Sequence, residues 1–480
     1  MAKGRLWIGW SRGDITPLRK TFVAGQFHRR ISDQVLSPLT ATALALEVRG
    51  DSGIPSADAS NAEGQAVMLS CDLAIEAFKP ELVRALEGRC PGLDLTKLTV
   101  NATHTHNAPA MQSGIYEEPE DDPDFMKPEE YRDWLVVQLA DIVEAAWKGR
   151  KPGGLSRGFG YAVVGRCRRA TYADGTALMY GETDREDFLG FESCDDHAVN
   201  LLFTRDEADE LTGILVNLAC TSQASERLGA FSADFWHNVR EGISERYGPA
   251  VHLLPQAAWA GDMSPHLLSD QKEERDLRDR LGVDDCGIIG RRIMAAVDEA
   301  MATASPTEET VELVHAVHHF LVPKLMVTKE QYELEKRVHE MSEEERARQP
   351  FGFQRIWPFG LVTDLIARYE QQEANPEFDV ECHVIRLGDV VFATNPLEPF
   401  VDYGMRIRCR SRALQTFLVQ LADAYGEGAY IPTQRALDGG HYSAVIKSAW
   451  FGPEGGAVLV EETVHAINAL FADADYPRTR

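Results

Sequence analysis

Long apolar runs, clustered cysteines and a surplus of positive charge are all missing from this 480-residue chain. No stretch of 18 apolar residues occurs, which argues against a membrane-spanning helix. The opening MAKGRLWIGWSRGDITP has no apolar core of a signal peptide, because Arg5, Arg12 and Asp14 interrupt it. The eight cysteines are scattered with no CxxC pair, as expected for small buried side chains in a reducing compartment. Acidic residues outnumber basic ones by 75 to 49, for a formal charge of −26. A surface so negative repels phosphate backbones and anionic headgroups, so neither nucleic acid nor membrane is an expected partner. The expectation is a soluble, cytoplasmic protein. The chain also lacks a visible repeat, a Gly/Ser linker and the GxSxG elbow of serine hydrolases.

What is present is an ordinary globular composition, 44% hydrophobic and 26% charged. Short apolar runs alternate with amphipathic stretches, which predicts an α/β fold with large mixed sheets flanked by helices. Strands are predicted at 41–48, 65–74, 97–103, 198–204, 211–220, 250–257, 311–322 and 381–395. Helices are predicted at 78–88, 128–148, 235–247, 287–303, 329–348, 400–412 and 458–472. Residues 114–130 read as an acidic, Pro-punctuated surface loop ahead of a helix starting near Pro128. Composition shifts near 304–310, which suggests an N-terminal part (1–305) and a C-terminal part (306–480) completing one site, or a single domain throughout.

Four segments carry candidate chemistry. The first is Asn101-Ala-Thr-His104-Thr-His106-Asn107 after the apolar run KLTV, where alternation in an extended chain would place both imidazoles on one face. Such a pair suits a metal ligand beside a proton-transfer group, or two hydrogen-bonded histidines at a sheet edge. The second is Gly261-Asp262-Met-Ser264-Pro-His266, a tight turn after a strand that displays a serine. The third is Asn395-Pro-Leu-Glu398-Pro-Phe, whose carboxylate can cap a helix or point into a cleft at the strand's end. The fourth pairs Tyr430 with Tyr442 across a Gly-rich region; tyrosines there usually serve as half-buried anchors.

Together these segments resemble the neutral/alkaline, non-lysosomal ceramidase family, in a short bacterial-type branch without signal peptide or C-terminal immunoglobulin-like domain. GDITP (13–17) with Ala24-Gly25 and Ser37-Pro38-Leu39 is similar to the family's opening. His104-Thr-His106 is similar to ATHTHS, Gly261-Asp262-Met-Ser264-Pro265 to GDVSPN, Asn395–Phe400 to the PGEF segment and Tyr430-Ile-Pro-Thr to YVTT. The matches run in order over nearly the whole chain.

The resemblance implies a neutral-ceramidase-like catalytic domain and a zinc-dependent amidohydrolase. By position, His104, Glu398 and Tyr430 would bind the metal, and His106 would move the proton. Ser264, Arg168 and Tyr442 would hold the reacting group. Gln223, Glu226 and His266 are candidate substrate contacts, and Asp262 and Asp72 candidate supports. One departure stands out: where the family has ACHP, this chain has Ala219-Cys220-Thr221-Ser222, so the second histidine ligand is missing. Threonine is a poor zinc ligand. His237, at the start of a predicted helix downstream, is the candidate replacement, either as ligand or as substrate contact.

The sequence therefore predicts a metal-dependent hydrolase acting on an amide or ester of a small polar substrate other than ceramide, with a homo-oligomer left open as its assembly. A lyase or isomerase acting on a carbohydrate with the same site, or a non-catalytic homologue, are the alternatives.

Overall fold

The computed structural model describes residues 3–50, 64–75, 78–119, 122–354, 364–424 and 429–472. Twelve of its strands form one mixed sheet. In chain order they are β1 (Lys3–Asp14), β2 (Thr40–Arg49), β3 (Gln65–Cys71), β4 (Leu98–Ala102), β5 (Lys151–Tyr161) and β6 (Ala198–Asp206). The remainder are β7 (Leu211–Leu218), β8 (His252–Ala257), β9 (Thr310–Pro323), β10 (Glu377–Leu387), β11 (Val390–Thr394) and β12 (Gln415–Val419). The spatial order is β8-β7-β6-β5-β1-β9-β10-β11-β12, with β2, β3 and β4 branching from β1. Three pairs are parallel, namely β3/β4, β7/β8 and β11/β12; the other pairings are antiparallel.

Continuous apolar runs such as TATALALEV in β2 mark strands covered on both faces. On one face the sheet folds back over itself, and a layer containing Leu6, Leu44, Leu202, Leu215, Leu254 and Phe417 closes between its halves. Polar side chains stitch the halves: Asn217 Nδ2 donates to the Leu418 carbonyl at 2.7 Å, and Ser70 Oγ to that of Pro255 at 2.5 Å. Outside lie the helices. α1 (Lys79–Leu86) and α2 (Pro128–Lys148) cover β1 to β4. α3 (Phe235–Tyr247) and α4 (Asp285–Ala302) cover β6 and β7, and α5 (Val401–Arg410) and α6 (Pro453–Leu470) cover β9 to β11. Among the described residues no helix is long and apolar enough to cross a membrane.

Most predicted elements are found, and α2 and α3 have the expected bounds. Two differ. The stretch 381–395 is a hairpin, β10 and β11 joined at Gly388 with φ 59°, where one strand was expected. The stretch 329–348 is two helices, because Ser342 accepts from the Glu345 amide and starts a new turn after Lys329–Val338. β1 and β5, interrupted by glycines and charges, were not foreseen. In the acidic loop, residues 120 and 121 lie outside the described set.

Six loops leave the carboxyl ends of β3, β4, β7, β8, β11 and β12, the place where α/β proteins build sites. Backbone bonds lace them together: His106 N donates to Ser222 O, Gly261 N to Pro399 O, and Ala102 N to Leu421 O. A turn carrying Tyr442 is held by the fully buried Arg169, which donates to the carbonyls of Gly440 and Tyr442 and to both oxygens of Glu192. Removing one member of such a pair strands a buried charge. Glu192→Ala is expected to cost about 3–5 kcal/mol in urea unfolding, and more than Arg185→Ala, whose partner Asp187 is exposed.

Candidate active site

The chain leaves β4 at Ala102 and turns sharply at His104, whose φ is 59°. A left-handed turn, in place of the extended backbone expected, brings the two imidazoles together. Their centroids stand 4.9 Å apart edge to face, with 3.4 Å between the Nε2 atoms. His104 Nδ1 donates to the Ala74 carbonyl at 2.5 Å, so its Nε2 carries a lone pair. That lone pair faces Glu398 at 3.5 Å. His106 Nδ1 donates to Glu226 at 2.7 Å, and its Nε2 accepts from the Gln223 amide at 2.9 Å. Burial pulls His106 down to about 4 against the opposing effect of Glu226, which keeps the ring neutral at pH 7. Gathered lone pairs beside a carboxylate form an electron-rich focus that a cation would neutralise.

Glu226 joins both sides of the site. Its Oε1 accepts from His266 Nε2 at 2.8 Å, and Gln26 donates at 2.8 Å to Oε2, the oxygen that His106 also meets. Burial pushes this carboxyl up, but His106 and His266 outweigh burial and hold it below the usual range. Thr221, in the position of the missing histidine, donates from its hydroxyl to Gln223 Oε1 at 2.7 Å. It thereby orients the amide that meets His106. Asp234, with φ 55°, fastens the same loop by accepting from the Ser225 amide and hydroxyl. Arg30 donates to the carbonyls of His106 and Glu226, both at 2.6 Å.

On the opposite wall Glu398 pairs with Tyr430 in a two-residue parallel ladder. Gly261 packs on this ladder so closely that a Cβ would lie 2.3 Å from the Glu398 carbonyl. Tyr430 and Tyr442 meet edge to face at 5.5 Å, and the Arg168 guanidinium lies 5.4 Å and 5.9 Å from their rings. Arg168 is buried and anchored by a 2.7 Å bond to Gly261 O, and its Nε has no hydrogen-bond partner among the described residues. Burial, with Glu398 nearby, drives both phenols above 10, so they remain hydrogen-bond donors. Ser264 Oγ is 3.0 Å from Tyr180 Oη and accepts from the His266 amide. Among the described residues, seven of the nine non-glycine residues with positive φ lie in these loops and those next to them, a concentration of backbone strain typical of functional sites.

The structure thus brings His104, His106, Glu398, Tyr430, Tyr442, Arg168, Ser264, Gln223, Glu226 and His266 to one rim. Partly buried His237 sits in the first turn of α3 and makes no described hydrogen bond, ion pair or ring contact with them. Asp72 is a support: it accepts from the Thr40 amide and pairs with Arg240 at 2.8 Å, one turn beyond His237. Sequence reasoning missed Tyr180, Arg30 and Gln26, for which no local signal exists. It also missed Glu381, His383 and Asp423, whose ligating atoms lie within 4.8 Å of one another, close enough to hold one metal ion. Glu381-Cys-His383, alternating on a strand, was the available signal for that cluster.

Two measurements check this geometry. Gly25, with φ 94°, lies where a Cβ would be 2.6 Å from His106 Cα, Cβ and Cγ. Gly25→Ala is therefore expected to destabilise the protein by about 1–3 kcal/mol in chemical denaturation. Asp262, which accepts from Ser193 Oγ and Val401 N, is raised by burial to about 6. Between about pH 4 and pH 6 the folded protein therefore holds a proton that the unfolded chain has lost, so stability falls as pH rises. The stability of wild type relative to Asp262→Asn is expected to drop by on the order of 2–3 kcal/mol across that window and stay level above it.

No protein-family model matches the chain, and no curated protein does. Solved structures do match. Neutral ceramidase from Pseudomonas aeruginosa aligns at TM-score 0.66 with 17% identity, over 99% of this chain and 76% of that one. A ceramidase complexed with C2 aligns at 0.64, again with 17% identity, over 99% and 77%. This chain has the fold of a neutral ceramidase.

Proposed function

We propose that the chain is a metal-dependent hydrolase cleaving an amide or ester bond of a small polar substrate. The observation that carries the reading is the bare Nε2 of His104 aimed at Glu398, across from a wall of buried donors. His104, Glu398 and the Tyr430 phenol beside them are the donors that would hold the ion, and a borderline cation such as zinc suits the set. Such an ion would supply Lewis acidity to polarise the scissile carbonyl and activate a water.

The chain's own residues do the rest. Glu226 orients His106 so that its Nε2 accepts the proton of the attacking water and passes it to the leaving group. Gln223 occupies that lone pair in this structure, so a water must displace or share the amide. Arg168 and Tyr442 face the developing oxyanion as a cation and a protonated phenol, and Ser264 with Tyr180 positions the bond to be cut. The wall around His106, made of Gln26, Arg30, Gln223, Glu226 and His266, is polar, which supports a hydrophilic substrate over a lipid.

Glu226 between two histidines also favours one alternative, in which the same ion polarises a sugar carbonyl and His106 removes a carbon-bound proton. Products separate the two: hydrolysis yields a new carboxylic acid with an equimolar amine or alcohol, whereas elimination yields an unsaturated sugar beside its leaving group and isomerisation an isomeric sugar, neither with a new acid. For the hydrolase, His106→Asn is expected to lower kcat by about 10²–10⁴-fold with metal content unchanged. Glu398→Gln is expected to lose the metal. Full turnover in His106→Asn would remove this residue from the mechanism.

A further inference from the structure

Behind the candidate active site lies a second polar cluster that the hydrolase reading does not use. Glu381 and His383 share one face of β10, and Asp423, in a left-handed turn after β12, completes the group. His383 and Asp423 are almost fully buried. A hydrogen-bond chain sets the state of His383. His315, kept neutral mainly by burial, donates from Nδ1 to Gln65 O, so its Nε2 must accept from His383 Nδ1 at 2.8 Å. In the neutral ring that leaves His383 Nε2 as a lone pair, 3.0 Å from Glu381 Oε1 and 3.5 Å from Asp423 Oδ2, the arrangement of a metal-binding histidine. Asp423 Oδ2 is buried and has no hydrogen-bond partner among the described residues. Three acceptors facing one another need a cation between them.

The cation is already there. Lys79, the first residue of α1, places Nζ 2.7 Å from Glu381 Oε1, 2.7 Å from Asp423 Oδ1 and 3.3 Å from His383 Nε2. An ammonium has three N–H bonds, and these are three acceptors. A divalent ion about 2.0–2.2 Å from the same donors would overlap Nζ, so lysine and metal exclude each other. A pocket of roughly 120 Å³, lined by Phe378, Glu381, Pro396 and Asp423, gives an ion from solvent access to the cluster.

We propose that Glu381, His383 and Asp423 form a metal-type site whose resident cation is the Lys79 ammonium, and that this cation positions His104 and Glu398. The linkage runs through residues 421–423. Asp423 Oδ1 accepts from Val100 N and Asp423 N donates to Val100 O, on the strand that leads to His104. Ala422 N donates to Asn395 O and Leu421 N to Leu397 O, on the segment that leads to Glu398. Lys79 thus fixes the one turn that touches both ligand-bearing segments.

Metal counting tests the assignment without reference to activity. Demetallated protein is titrated with zinc, and bound metal is measured after gel filtration. Lys79→Met is expected to take up one equivalent more than wild type, and Lys79→Met/His383→Ala is expected to lose that equivalent. If Lys79→Met is too unstable to isolate, zinc is expected to raise its melting temperature in lysate by more than it raises that of wild type. A wild-type metal equivalent that disappears in His383→Ala would overturn the proposal, as would Lys79→Met that neither gains an equivalent nor responds to zinc more than wild type does. The positioning half rests on the hydrolase reading. There, Lys79→Met is expected to lower kcat by roughly tenfold to a hundredfold with KM little changed, and zinc to restore part of it. Unchanged kcat in an active enzyme would refute positioning and leave the metal count standing.

Discussion

Two halves of one sheet press together across a layer of leucines, and the candidate site hangs from one rim of that layer. If the halves slid, the loops after β4, β7, β8 and β11 would no longer meet, because each belongs to a different part of the sheet. The aliphatic layer supplies the adhesion, at roughly 25 cal/mol per Å² of apolar surface removed from water, but it is indifferent to small shifts. Register comes from the few polar side chains that cross it. Asn217 reaching the Leu418 carbonyl and Ser70 reaching that of Pro255 each satisfy a buried group that sliding would leave unpaired.

At the rim, burial and charge work against one another in a consistent way. His106 is kept neutral by burial, while Glu226 beside it is kept ionised by two histidines. Tyr430 and Tyr442 keep their protons, and Arg168 keeps its charge among them. A neutral base, an ionised orienting carboxylate and a wall of donors are what transfer of a proton to and from an acyl centre requires. Substituting threonine for the histidine expected at 221 changes the shape of this arrangement. The hydroxyl turns to Gln223, and the amide turns to His106, so this position sets the orientation of the amide that meets the imidazole.

Legibility followed chemistry that has a local signature. His104, His106, Ser264 and Glu398 stand in short segments directly after apolar runs, and the ceramidase resemblance rested on those same segments; the neutral-ceramidase-like fold agrees with it. Glu226 and Gln223 were reachable because their loop departs from the pattern. Tyr180 and Arg30 were not, since each arrives from a distant stretch and is defined only by what it touches. His237 illustrates the limit of proximity along the chain: it stands three residues after Asp234, the cap of the same helix, yet it is Asp234 that reaches the loop. The Lys79 cluster was hidden for a similar reason, because its members are separated by some three hundred residues and none is unusual alone.

The short contact between β1 and β9 has a temporal consequence. Lys3 to Arg5 pair with Thr310 to Glu312, so the first strand, which pairs along Arg5–Asp14 with the nearby β2, gains this second partner only when about two thirds of the chain exists. Pairings of such long range are slow to form, and domains emerge from synthesis N-terminus first. The His104 segment is thus complete early, while Glu398 and the turn at 421–423 that steadies both arrive last. A nascent or truncated chain would carry only half of the candidate constellation, and the two halves would meet only when the final strands dock.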